Sequence, residues 1–145
     1  MIAICLSLGK IQAEPLLTAD AMSLVVVLQQ KGFKVVFEHP SKRKSYGLFV
    51  SSSKTLFVSP LAFELGIGQA VLVHEATHAA QSCPNGQLTP IGWKLKASPV
   101  VSREISGILV HSYRENQHLE REAFLVQGHH DAIPKVIGAL KSRCN

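Results

Sequence analysis

The sequence predicts an α+β protein in which a small antiparallel sheet of about three strands packs on a central helix and C-terminal helices follow. Three short runs rich in aromatic and β-branched residues, an uncharged helical run near the middle and helical periodicity in the last third predict this class. Of the 145 residues, 46% are hydrophobic and 17% are charged. This is the composition of a folded domain with a sizeable core. Without repeats, low-complexity tracts or a linker, residues 14–145 are expected to form a single domain.

Capping and turn residues in the sequence predict where the first helix and the strands begin and end. Thr18 or Asp20 is expected to cap a first helix, which ends at Gly32. Strands are then predicted at 33–39, 46–51 and 54–59. A serine-rich turn joins the last two of them, which indicates a hairpin.

The second half of the chain is predicted to be mostly helical. In chain order its segments are a short helical turn (61–65), the central helix (68–81), a long loop (87–101), a broken helix (102–127) and a final helix (133–143). Pro60 and Pro134 stand where a helix begins, and Gly66 and Gly128 where one ends. The long loop is of a length that often carries function.

The central helix contains the most informative pattern, because residues 74–78 read His-Glu-Ala-Thr-His. His74 and His78 lie one turn apart on one helix face. Two imidazoles at this spacing can bind one Zn²⁺, and Glu75 beside them can act as general base on a zinc-bound water. The flanking residues are uncharged, and ionisable groups in such a helix are costly unless something binds them. The pattern therefore predicts a metal site; the alternative is a purely structural histidine pair.

This pentapeptide resembles the motif of the zincin metallopeptidases. The resemblance includes Val71, three residues before the first histidine, and Ala80, two residues after the second. It implies a third ligand from further along the chain. The metzincin branch does not fit, because it requires a glycine and a histidine where this chain has Gln81 and Pro84.

Segment 117–125 resembles the glutamate-bearing helix of the gluzincins, in which alanine follows the ligand glutamate by three residues. On this resemblance Glu120 is the third zinc ligand and Ala123 is the small residue. Glu122 is the alternative, and since two residues turn a helix by about 200°, only one of the two glutamates can face the metal. Phe124 stands where many gluzincins have Asp or Asn to orient a ligand histidine, so that partner is unidentified.

The resemblance implies a single zincin-like metallopeptidase domain, a zinc-dependent hydrolase with a peptide or protein as its substrate. It also implies that strand 54–59 is an edge strand that pairs with extended substrate. Two alternatives remain open. One is a catalytically inactive zincin-like scaffold that serves as a zinc-stabilised binding or structural domain, and the other is a zinc hydrolase of a non-peptide amide.

Five other side chains are weaker candidates for the site. His111, His118 or Tyr113 could stabilise a transition state. His129 and His130 could be metal ligands, although adjacent residues do not share a helix face.

The charge pattern does not indicate a nucleic-acid partner. The formal net charge is +5, and its densest part is the run Lys42-Arg43-Lys44. No nucleic-acid-binding motif accompanies it, so we interpret the run as a solvated turn.

The N-terminus leaves the compartment open. Residues 1–13 form a mostly apolar run that ends in Ala13 and reads as a signal-like segment without its basic start. The run is too short to span a bilayer, so the protein is not expected to be transmembrane. Export to the periplasm or the medium is one interpretation; the alternative is the buried first element of a cytoplasmic protein.

Two cysteines, Cys83 and Cys144, lie outside the signal-like segment. An even count suits one disulfide in an oxidising compartment. Its loop of 61 residues (144 − 83) would contribute about 4 kcal/mol of stability. The alternative is two free thiols in a reducing cytosol.

Overall fold

The computed structural model describes residues 14–42 and 44–145, so the predicted signal-like segment 1–13 lies outside the described residues. The elements are α1 Ala19–Gln30, β1 Lys34–Val36, β2 Gly47–Val50, β3 Thr55–Val58, α2 Pro60–Glu64, α3 Gly68–Gln81, α4 Pro99–Ser112, α5 Gln117–Gln127 and α6 Ala132–Arg143. A 3₁₀ turn, Ser51–Ser53, joins β2 to β3. The predicted α+β class, with one three-stranded sheet and helices in the C-terminal half, is confirmed.

The sheet is mixed rather than antiparallel, which corrects one part of the prediction. Its strand order is β1-β3-β2. β2 and β3 form the expected antiparallel hairpin, whereas β1 lies parallel to β3. The chain leaves β1 through a ten-residue connection (37–46), passes the position of β3, and then returns in the hairpin. A connection of this length permits either orientation, so the sequence did not determine it.

Strand β3 is the central strand, so the expectation that residues 54–59 form the edge strand is wrong. Both sides of β3 are already paired, to β1 and to β2. The edge strand that packs against α3 is β2, whose Gly47 lies directly beside Glu75. A backbone can accept an additional strand only on a side that is not yet hydrogen-bonded.

Helix α1 begins as predicted, and the structure chooses between the two capping candidates. The Thr18 hydroxyl oxygen accepts a hydrogen bond from the amide of Ala21 at 3.1 Å, while Asp20 lies in the first turn. Leu24 and Leu28, four residues apart, are fully buried. This apolar face joins α1 to the core that α3 and α6 share.

Helices α3 and α5 run antiparallel and lie in contact. His74, near the middle of α3, contacts Gln127 at the end of α5. Gln81, at the end of α3, contacts Leu119 near the start of α5. Ala123 between them is fully buried, as expected for a small residue in a close helix contact.

The predicted break in the long C-terminal helix is confirmed, but α4 starts earlier than expected. Ser98 caps it, its hydroxyl accepting from the amide of Val101 at 3.2 Å, and Pro99 is the first helical residue. The break covers 113–116 and ends at Asn116, which has a left-handed backbone with φ of 57°. The long loop is therefore shorter than predicted and ends at residue 98.

The C-terminus is tied to the end of α3. Cys83 and Cys144 form a disulfide, one of the two alternatives that the sequence left open, with 5.1 Å between their Cα atoms. Arg143 donates hydrogen bonds to the carbonyl oxygens of Ala80 and Thr89, at 3.0 and 3.3 Å. In the part of the chain that the structure describes, no helix combines the length and the apolar character needed to cross a membrane.

Candidate metal centre

His74 and His78 lie on the face of α3 that meets α5, and both are 7% exposed. Their Nε2 atoms are 3.2 Å apart, although the ring centroids are 4.8 Å apart. The two rings therefore turn their Nε2 edges toward one point, as the one-turn spacing predicts.

Glu120 completes a triangle with the two imidazoles. Its Oε2 atom lies 3.1 Å from Nε2 of His74 and 3.3 Å from Nε2 of His78. Atoms that each lie about 2 Å from a tetrahedral zinc ion are separated by about 3.3 Å. Both the spacing and the donor chemistry of two imidazoles and a carboxylate therefore fit a divalent metal ion with one open position.

In this cluster the carboxylates and the imidazoles stabilise each other's charged forms, which shifts their pKa values. Burial acts to raise the pKa of Glu120, but hydrogen bonds from His74 and His78 outweigh it and lower the pKa to about 2. Burial acts to lower the pKa of His78, but the carboxylates of Glu120 and Glu75 outweigh it, so the pKa is raised. Glu120 is therefore an anion at neutral pH, as a metal ligand must be.

Two glutamines orient the imidazoles from outside the triangle. Nδ1 of His74 donates to Oε1 of Gln127 at 2.8 Å, and Nδ1 of His78 donates to Oε1 of Gln81 at 2.7 Å. With Nδ1 as the donor to glutamine, Nε2 is the nitrogen whose lone pair a metal would bind in place of its hydrogen-bonding proton. Sequence reasoning missed both residues. It looked for an orienting group at Phe124, whereas Gln127 provides one a turn later, seven residues after Glu120 and on the same helix face.

Glu122, the alternative to Glu120, faces away from the imidazoles. Its carboxylate accepts from the amides of Ile91 and Gly92, at 2.8 and 2.9 Å, and from Nε2 of Gln81 at 3.0 Å. Glu122 thus holds both the long loop and the glutamine that orients His78. The two glutamates point apart, as the helical geometry predicts.

Glu75 lies beside the triangle, against the first residue of β2. It is 7% exposed, and a Cβ atom on Gly47 would come within 2.6 Å of its Oε1 atom. Burial raises the pKa of Glu75. The electrostatic attraction of the neighbouring His74 and His78 acts in the opposite direction, but burial outweighs it. A carboxylate with a raised pKa next to a metal site is suited to taking up and releasing a proton.

Of the three transition-state candidates, Tyr113 is the one that borders the site. Its ring packs against Phe124 with centroids 5.9 Å apart, and Phe124 packs against His74 at 4.5 Å. Burial, together with the charges of Glu120 and Glu75, raises the pKa of Tyr113 to about 12. Its hydroxyl therefore remains a hydrogen-bond donor at neutral pH.

The side chains of His111 and His118 are exposed on their helices. Lys42, which we interpreted as part of a solvated turn, lies over the Tyr113 ring, 5.3 Å from its centroid. Its charge also acts on Glu75, lowering the pKa of that carboxyl. Lys42 therefore approaches the site, which the composition of the run did not indicate.

The fold and the site define a class: a small α+β protein with a buried His-His-Glu cluster between two antiparallel helices. The chain belongs to the family described as a domain of unknown function (DUF8637), whose model matches residues 16–145. No curated protein and no solved structure matches the chain.

Proposed function

We propose that the protein is a zinc-dependent peptide hydrolase, a small metallopeptidase of gluzincin type. One observation carries this proposal: Nε2 of His74, Nε2 of His78 and Oε2 of Glu120 are separated by 3.1, 3.2 and 3.3 Å, with Glu75 next to them. The distances match the donor spacing of a tetrahedral zinc site, in which three protein ligands would leave the fourth position for water or substrate.

In this proposal His74, His78 and Glu120 hold the ion, while Gln127 and Gln81 keep the imidazoles in the binding tautomer. Bound zinc acts as a Lewis acid, which polarises a substrate carbonyl and makes water a nucleophile at neutral pH. A catalytic zinc site keeps a position free for these reactants, whereas a structural site is closed by a fourth side chain. Among the described residues, three side chains form this cluster, which supports the catalytic alternative.

Glu75 has the proton-transfer role. It accepts the proton of the attacking water and delivers it to the amine that leaves. Its raised pKa, caused by burial, brings the carboxyl closer to the pH at which it can do both. The Tyr113 hydroxyl is the candidate donor to the oxyanion that develops on the substrate carbonyl.

The edge strand β2 is the proposed substrate platform. It is paired to β3 on one side, and its first residue, Gly47, touches Glu75. An extended peptide that pairs with the outer side of β2 would run past the proton-transfer group. The absence of a side chain at Gly47 lets this strand lie directly against Glu75. Because an edge strand binds extended chains, we infer a peptide rather than a compact amide as the substrate.

The test compares metal content and peptide hydrolysis in four forms of the full-length protein. Wild type is expected to hold one firmly bound zinc and to cleave members of a mixed peptide library. His78→Ala is expected to lose both properties. Glu75→Gln is expected to keep the zinc and to lose 10²-fold or more of its activity, in the range expected for general-base loss of about 10²–10⁴.

Glu64→Gln is the matched control, because Glu64 is exposed on α2. It is expected to behave as wild type in both assays. Wild type that holds zinc but cleaves no peptide would support the inactive scaffold instead. Folded wild type without stoichiometric metal would overturn both readings of the site.

A further inference from the structure

A second group of metal-binding side chains lies in the connection between α5 and α6. It consists of His129, His130 and Asp131, and one ligand atom from each lies within 4.8 Å of the others. The two imidazole rings are stacked, with centroids 4.6 Å apart and planes at 29°. Adjacent residues diverge on a helix, but these residues lie in a turn, where both rings can face the same side.

The orientation of Asp131 is the second observation. It occupies the N-cap position of α6, where aspartate usually accepts a backbone hydrogen bond. Its side chain makes no such bond. Instead, one carboxylate oxygen is bonded to Nδ1 of His129, and the other lies 3.5 Å from the ammonium of Lys135. The carboxylate is thus directed toward the imidazoles.

A cavity of about 200 Å³ adjoins the cluster. His129 and His130 line it, together with Asp20 from the first turn of α1 and the side chain of Gln127. Asp20 therefore adds a second acidic residue to the lining of this cavity. Among the described residues, Lys135 is the one lysine or arginine that forms an ion pair with this cluster. Its single positive charge is matched by the carboxylate of Asp131, so the surroundings do not repel a metal cation.

We propose that His129, His130 and Asp131 form a second binding site for a divalent transition metal ion such as Zn²⁺. Imidazole and carboxylate are ligands that these ions accept. An ion that lies about 2 Å from each ligand atom needs those atoms about 3–4 Å apart. Here they lie within 4.8 Å of one another, and rotation of the exposed His130 side chain can bring them closer. Water would complete the coordination.

This site is separate from the His74-His78-Glu120 cluster and does not depend on the function proposed for it. Gln127 adjoins both, because its Oε1 atom contacts His74 and the residue is part of the lining of the cavity. The second site is more exposed, and Lys135 competes with the metal for Asp131. We therefore expect it to bind zinc more weakly than the first site.

The experiment is equilibrium dialysis of the untagged full-length protein against graded Zn²⁺, with elemental analysis and circular dichroism to verify folding. Wild type is expected to bind two equivalents, one tight and one weak. His130→Ala and Asp131→Asn are expected to weaken the second equivalent at least tenfold and to keep the first. His78→Ala is expected to keep only the weak equivalent, so failure of the first site and failure of the second are distinguishable.

His111→Ala is the matched control, since it removes an exposed histidine of α4 outside both clusters. It is expected to retain both equivalents. The proposal is overturned if wild type binds no second equivalent, or if both His130→Ala and Asp131→Asn bind it as tightly as wild type. Equal weakening in His111→Ala would also overturn it, because the second equivalent would then reflect surface histidines in general.

Discussion

Single polar side chains decide how the candidate metal centre is oriented. Gln127 and Gln81 each hold one imidazole through Nδ1, and Glu122 holds Gln81 in turn. Such outer contacts set the tautomer and the direction of each ligand. The sequence motif identifies the candidate ligands His74 and His78, but it contains no information on which of many polar residues will contact them.

The contact between Gln127 and His74 gives a prediction for metal affinity. Gln127→Ala should weaken zinc binding by about 10–100-fold, because His74 loses the acceptor that fixes its tautomer. Zinc affinity measured by competition with a chromophoric chelator checks this. Gln30→Ala, at an exposed position at the end of α1, should leave the affinity unchanged. An unchanged affinity in Gln127→Ala would show that the hydrogen bond does not orient the ligand.

A second residue-scale prediction concerns Tyr113. Tyr113→Phe should retain zinc and lower kcat by about 10²–10³-fold with a small effect on KM, because an oxyanion donor acts in the transition state. Steady-state kinetics and metal content check this. His118→Ala should have normal kinetics, since His118 is exposed on α5. If Tyr113→Phe raises KM and leaves kcat intact, the hydroxyl serves in substrate binding instead.

At the scale of elements, the helices and strands were largely readable from the sequence, and their arrangement was not. Capping by Thr18, the hairpin of β2 and β3, and the boundaries of α3 all depend on neighbouring residues. The parallel position of β1 and the central position of β3 depend on how a ten-residue connection crosses the sheet. Hydrophobic alternation places a strand in a sheet but does not determine which strand is its neighbour.

The close packing of β2 on α3 can be tested at Gly47. A Cβ atom there would come within 2.6 Å of Glu75 Oε1 and of Val71 Cγ1, so Gly47→Ala must displace one of them. We expect a loss of about 1–3 kcal/mol in the free energy of unfolding and a larger loss of activity. Urea denaturation and peptide hydrolysis measure the two effects.

Gly138→Ala is the matched control for this substitution. Gly138 lies within α6, and a Cβ atom there would meet no heavy atom within 4 Å. It should stabilise the protein by up to about 1 kcal/mol, because alanine favours a helix over glycine. Equal effects of the two substitutions would contradict the close contact between β2 and Glu75.

At the scale of the whole molecule, the C-terminus closes the structure around the end of α3. Arg143 binds carbonyl oxygens of Ala80 and Thr89, and the Cys83–Cys144 disulfide joins the same two regions. The long loop that follows α3 is also bound to α5, because the amides of Ile91 and Gly92 donate hydrogen bonds to Glu122. The two helices that form the site, α3 and α5, are thus linked to each other through the long loop and to the C-terminal residues 143 and 144.

The disulfide provides the whole-molecule prediction. Replacing both Cys83 and Cys144 by Ser should lower the free energy of unfolding by about 2–5 kcal/mol, because it removes the constraint on a 61-residue loop in the unfolded chain. Denaturation of the double variant and of wild type with and without reductant measures it. The reduced wild type and the variant should coincide. A variant as stable as oxidised wild type would contradict the prediction.

The sequence by itself determined the local part of this protein. It placed His74 and His78 one turn apart on a helix and Glu75 beside them, because helical periodicity follows from residue spacing alone. Only the tertiary structure decided that Glu120 rather than Glu122 meets the imidazoles, that Gln127 and Gln81 orient them, and that β2 rather than β3 forms the edge next to Glu75. These depend on how α5 and the sheet pack against α3, and packing is set by contacts between residues far apart in the chain.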